Sequence, residues 1–119
     1  MPSIGTHGEQ LDLLIKQGST FETVLAFNDS TGAPLKLIGV VARAQIRQSY
    51  SSSSPTAVFT TEIIPPNQVK LSLSSTDTAN IPVKGAVQSF VWDLELEWPN
   101  GRVDSPLWGQ VIVKAEVTK

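Results

Sequence analysis

Short runs of alternating apolar and polar residues dominate this chain, separated by clusters of Gly, Pro, Asn, Asp and Ser. A strand sends successive side chains to opposite faces, so each run predicts a half-buried strand. Leu11, Leu13 and Ile15 form the first such set, and Gly18 ends it. Phe21 to Asn28 follows, with Phe21, Leu25 and Phe27 on one face, and Asp29-Ser30-Thr31-Gly32 before Pro34 reads as a turn. Val40 to Arg47 turns Ala42, Ala44 and Ile46 inward and Arg43, Gln45 and Arg47 outward.

Ser49 to Pro55 holds four consecutive serines, which bury no apolar surface and predict a mobile loop. Strands are expected again at Ala57–Glu62 and Val69–Leu73, on either side of a Pro65-Pro66-Asn67 turn. Ser74 to Asn80 is the one helix-like stretch, about a turn long and closed by Pro82. The strongest pattern runs from Phe90 to Trp98: Phe90, Trp92, Leu94, Leu96 and Trp98 share one face, and Val91, Asp93, Glu95 and Glu97 the other. Pro99-Asn100-Gly101 predicts a hairpin, with Asn-Gly suited to a type I′ turn. The return strand is expected from Val103, interrupted near Pro106, and continued from Trp108 to Val117, with Val111, Val113, Ala115 and Val117 alternating with Lys114 and Glu116.

About seven short strands at this spacing predict an all-β fold, an immunoglobulin-like antiparallel β-sandwich. Residues 1–10 are polar, Gly-rich and without alternation, and read as a flexible arm ahead of a domain spanning 11–119. A length of 119 residues suits one domain with one core. With no cysteine, neither a disulfide framework nor a thiolate metal site is available. A net charge of −2, with Lys and Arg scattered, argues against nucleic-acid binding. No apolar run is long enough for a membrane span, and the first residues lack the basic start and apolar core of a signal peptide. The expectation is synthesis in a cytoplasm, without membrane association.

Asp93, Glu95 and Glu97 are the sharpest polar constellation, because alternate strand residues share a face. They could hold a divalent cation or act as paired carboxylates. The simpler reading is cross-strand pairing with Arg43 and Arg47 on a neighbouring strand. His7 is the sole histidine and sits in the arm, so neither a catalytic triad nor a zinc site is expected. Gly101 and Gly109 flank a hairpin rather than open a helix, so they read as turn chemistry rather than a phosphate loop. Trp92 reads as core, whereas Trp98 or Trp108 could stay exposed for a protein or glycan partner. Together with Ile4, His7 and Gln10 of the arm, Trp98 and Trp108 are the candidate partner-binding residues. No catalytic residue, cofactor or metal is expected.

Five segments taken in order carry a family likeness: Ile15-Lys16-Gln17-Gly18-Ser19-Thr20-Phe21, then Ala42-Arg43-Ala44-Gln45-Ile46-Arg47, then Val69 to Ser74 with Thr76-Asp77-Thr78-Ala79, then Phe90-Val91-Trp92-Asp93-Leu94-Glu95, and last Leu107 to Val111 with Glu116-Val117-Thr118. Over about residues 11 to 118 the chain resembles a widespread group of small tailed-bacteriophage virion proteins, and is similar to the N-terminal domain of the baseplate upper protein of some siphophages. Phe90 stands where that group often carries Tyr. The resemblance implies an immunoglobulin-like domain without enzymatic activity, held in a virion by contacts with other virion proteins or with further copies of itself. A capsid decoration or cement protein is the first expectation. A tail, baseplate or fibre-attachment adaptor is the second, and a carbohydrate-binding module touching the host surface the third.

Overall fold

The computed structural model describes residues 3–4 and 8–118, and His7 lies outside them. Two sheets pack face to face. In the first, β1 (Ser3–Ile4), β4 (Phe21–Phe27), β8 (Gln68–Leu73) and β7 (Thr60–Ile64) lie in that order. The second runs β2 (Glu9–Gln10), β10 (Val103–Lys114), β9 (Val87–Glu97), β5 (Val41–Arg47) and β6 (Ala57–Val58). Strand β3 (Leu13–Lys16) continues beyond β2 along the same edge of β10. This is the immunoglobulin-like arrangement of two mainly antiparallel sheets, with an N-terminal strand lying parallel to the last one.

The alternation places the core as expected. Ala42, Ala44 and Ile46 of β5, Val69, Leu71 and Leu73 of β8, and Phe90, Trp92, Leu94 and Leu96 of β9 are buried between the sheets, with Leu25, Phe27, Val111 and Val113. The one helix among the described residues, α1 (Ser75–Ala79), begins with a capping box in which the Ser74 hydroxyl accepts from the Asp77 N–H and the Asp77 carboxylate accepts from the Ser74 N–H. Its Thr78, fully buried, donates to the Ser19 carbonyl (2.8 Å) and accepts from the Gly18 N–H (3.0 Å), which fastens the helix to the β3–β4 turn.

Several local expectations are corrected. The 1–10 segment, read as an arm outside the sandwich, has Ser3–Ile4 paired with Ala26 and Phe27 of β4, and Glu9–Gln10 paired with Leu107 and Trp108 of β10. Ala57–Glu62 is not one strand: β6 pairs with β5, Phe59 turns into the core, and β7 crosses to β8 in the opposite sheet. Alternation survives a change of sheet, so the pattern gave no sign of it. The tetraserine segment is a loop as expected, with local hydrogen bonds within it: the Ser49 N–H donates to Ser52 Oγ (3.1 Å), and the Ser52 N–H to the Ser49 carbonyl (3.2 Å). The β9–β10 hairpin is not type I′, because only Gly101 has positive φ (+89°). Pro99 sits at the second position of a turn closed by Gly101 N–H to the Trp98 carbonyl (2.9 Å), and Gly101 supplies the left-handed bulge residue that follows. Ala115 and Val117 fall beyond β10, and Val117 is almost fully exposed.

One irregularity in β10 decides what the second sheet shows to solvent. Asp104 faces Leu96 and Leu107 faces Leu94, so three steps on β10 match two on β9. The extra residue falls beside Pro106, which has no N–H to offer the ladder. A one-residue slip exchanges the two faces of a strand. It therefore buries Leu107 and turns Trp108 outward.

Trp92 is the largest fully buried side chain. Its ring meets Phe59 edge-on (6.0 Å between centroids), and Phe59 meets Phe21 (5.9 Å). The Trp92 indole N–H donates to the Leu11 carbonyl at 2.8 Å. The Leu11 N–H still donates to the Trp108 carbonyl (2.9 Å), but its carbonyl turns out of the parallel ladder, and Leu11 and Asp12 crowd onto Gly109, where a Cβ would run into the Leu11 carbonyl oxygen. The Asp12 carboxylate replaces the missing ladder acceptor by accepting the Gln110 N–H (2.9 Å). Gly109→Ala should therefore cost about 2–3 kcal/mol through overpacking against backbone. Trp92→Phe should cost roughly 2–4 kcal/mol through a cavity and an orphaned carbonyl. Urea denaturation of both variants checks this, and wild-type stability in either would contradict it.

Candidate functional site

The outer face of the second sheet collects the chain's chemistry. Directly opposed residues form a row across it: Val58, Gln45, Asp93, Trp108 and Gln10. The next rows hold Arg47, Val91 and Gln110, then Ser89, Ile112 and Leu14, then Val87, Lys114 and Lys16. On the other side lie Arg43 opposite Glu95, and Val41, Glu97 and Val103.

The charged half is largely self-satisfied. Arg43 binds Glu97 at 2.9 Å and Glu95 at 3.5 Å, and the Glu97 hydrogen bond foremost holds the guanidinium pKa above its ordinary value. Of the cross-strand pairing expected with Arg43 and Arg47, the structure shows the Arg43 part, whereas Arg47 pairs with none of the three carboxylates. Both glutamates are tied to one arginine, and among the described residues no group of three His, Asp or Glu is placed to hold a metal ion.

Asp93 behaves differently. Burial first, and the Glu95 charge second, push its carboxyl pKa above the ordinary value, against an opposing pull from Arg47. Arg47 nevertheless donates elsewhere, to the Ser52 carbonyl (2.7 Å) and to Gln45 Oε1 (2.9 Å). Two adjoining depressions of about 130 and 250 Å³ open here and share Gln45, Arg47 and Asp93; Tyr50 and Val91 line the smaller.

The sequence-derived partner residues separate. Gln10 and Trp108 are neighbours across β2 and β10, and both are exposed, Trp108 by 43%. Trp98 lies away from them in the β9–β10 hairpin. It packs against the core, its indole donates to Asp104 Oδ2 (2.8 Å), and the Arg102 guanidinium sits 5.3 Å from its ring centre. Trp98 is therefore a hairpin clamp rather than an open platform. Ile4 is placed by its backbone pairing with Phe27, and His7 lies outside the described residues. Sequence reasoning missed Gln45 and Tyr50, because their relevance depends on which strands pair and on where the serine loop folds.

An exposed apolar stripe occupies the opposite half of the face. Leu14 (59% exposed) sits beside Ile112, with Val87 (51% exposed) and Val91 diagonal to it, and Lys16 and Lys114 at its border. None of these residues was singled out in the sequence, where Leu14 and Ile112 read as the outward positions of ordinary strands.

These features define the chain as an immunoglobulin-like β-sandwich with one two-part surface, apolar at one end and polar at the other. Among solved structures it is similar to the N-terminal domain of phage TP901-1 ORF48, with 9% identity, a TM-score of 0.48, and coverage of 97% of this chain and 95% of that one. It is similar also to the bradyzoite specific antigen BSR4 from Toxoplasma gondii, with 8% identity and a TM-score of 0.33, spanning 99% of this chain but 45% of that one. No family model and no curated protein matches the sequence.

A carboxyl whose folded pKa lies above its unfolded value is bound more tightly by its proton in the folded state. Its cost to stability is then absent below the carboxylate range and grows as pH rises through the folded pKa. Asp93→Asn should accordingly raise the melting temperature at neutral pH, and the gain should vanish in acid. Calorimetry across that range checks it, and a lower melting temperature for the variant at neutral pH would contradict it.

Proposed function

We propose that this protein is a non-catalytic structural component of a bacteriophage particle, made in the host cytoplasm and held in the virion by binding other virion proteins. The observation that carries the reading is the apolar stripe of exposed Leu14 and Val87 with half-buried Ile112 and Val91, on a sheet face over which no described element packs. The outer face of an antiparallel sheet is ordinarily polar, and contiguous exposed apolar surface marks a contact site. The lysines at its border fit the polar rim of such an interface. The resemblance of the five ordered segments to small virion proteins supplies the setting.

A non-catalytic role is supported by the carboxylates beside Asp93, since Glu95 and Glu97 are both engaged by Arg43. Capsid decoration and a tail or baseplate adaptor make the same demand on the face. Both array many copies, so that weak individual contacts add through avidity. Copy number separates them.

The stripe is tested by charge insertion. Leu14→Glu and Ile112→Glu should fold with near-native melting temperatures, since both side chains point outward. Each should weaken binding to particles lacking the protein by roughly tenfold or more. Val117→Glu, at an exposed site beyond the face, should bind normally. Full incorporation of the stripe variants would overturn this assignment of the surface.

A further inference from the structure

The polar end of the same face holds an open depression, apart from the apolar stripe of Leu14 and Ile112. The Asp93 carboxylate makes no hydrogen bond or ion pair with the described residues, although burial disfavours its charge. Beside it, Gln45 has its carbonyl occupied by Arg47, which leaves its amide NH₂ as a donor. Arg47 is held back by the Ser52 carbonyl, so it does not collapse onto Asp93, and the depression stays open between them. Trp108 stands directly across from Asp93, and directly opposed residues bring their Cβ atoms within about 5 Å. Tyr50, 68% exposed, lines the depression itself, and Trp108 adjoins it as the cross-strand neighbour of Asp93.

We propose that this depression binds a neutral saccharide, with Asp93 and Gln45 hydrogen-bonding the hydroxyls of a sugar ring and Trp108 and Tyr50 providing aromatic surface beside it. An open acceptor next to an open donor matches vicinal hydroxyls, each of which donates and accepts. One arginine and one aspartate cancel in the smaller depression, so it has no net charge to select an ionic ligand. Hydroxyl donors would also supply the hydrogen bonds that a partly desolvated carboxylate lacks. An incoming basic side chain could pair with Asp93 but would lie beside the Arg47 guanidinium, against like charge. The amphipathic ring of Tyr50 at the depression, with Trp108 next to Asp93, suits the alternating apolar and hydroxyl faces of a pyranose. This site is independent of the virion reading and is tested on the isolated chain.

The test is a titration of the ¹⁵N-labelled full chain with the methyl glycosides of glucose, galactose, N-acetylglucosamine and rhamnose, with N-acetyl-arginine amide in parallel. The expected result is saturable shifts at millimolar concentration for at least one glycoside, centred on Gln45, Tyr50, Asp93 and Trp108. Asp93→Ala and Trp108→Ala should each weaken that response by roughly tenfold or more, while Glu97→Gln leaves it unchanged. Asp93→Asn, nearly the same shape, serves if the alanine variant fails to fold. No saturable shift with any glycoside would overturn the proposal, as would shifts centred elsewhere. A response to N-acetyl-arginine amide alone would also overturn it, and would make the depression a seat for a partner's basic side chain.

Discussion

A buried indole N–H must find an acceptor, and in this protein that requirement reaches from the core to the edge of a sheet. Trp92 is fully enclosed, and leaving its N–H unpaired would cost on the order of 1–3 kcal/mol. The acceptor is Leu11 O, a backbone carbonyl withdrawn from the parallel ladder on β10. That withdrawal needs a residue without a side chain at position 109 and a substitute acceptor in Asp12. Through Phe59 and Phe21 the same ring touches the point where the chain changes sheets. One tryptophan thus links the N-terminal strand, the central strand β9 and the crossing between sheets, in a domain with no disulfide to do so.

Once that edge is fixed, the character of the outer face follows from register. β3 resumes pairing at Leu13 opposite Val111, which sends Leu13 and Ile15 inward and leaves Leu14 outward beside Ile112. The extra residue near Pro106 does the same for Trp108. An N-terminal strand shifted by one residue would turn Leu14 into the core, and a β10 without its bulge would bury Trp108. The apolar stripe and the aromatic beside Asp93 are therefore consequences of two local departures from regular pairing.

Much of this was legible in the sequence. The alternation of β5, β8 and β9 is strong enough to assign inward and outward residues, and opposite charges at Arg43, Glu95 and Glu97 correctly anticipated neighbouring strands. Ser74 and Asp77 stand at capping-box spacing around the expected helical turn. What escaped was non-local. The pairing of Glu9–Gln10 rests on backbone hydrogen bonds, to which hydropathy is blind. Phe59 fits the alternation of a continuous strand, and only packing against Trp92 shows that it ends one sheet and begins the other. Trp98 and Trp108 looked equivalent as sheet-end aromatics. Asp104 and Arg102 clamp one, whereas the bulge exposes the other. The binding depression depends on Tyr50 and Ser52, in a loop whose composition predicted no order.

Under the proposed virion role, a sandwich tied together internally by Trp92 would be expected to change little in shape on docking. The decisive measurement is quantitative mass spectrometry of purified particles, with this chain counted against the major capsid protein. The account predicts its presence at a fixed, stoichiometric copy number, hundreds for a capsid decoration or a few dozen and fewer for a tail or baseplate position. Absence from particles that infect normally would contradict it.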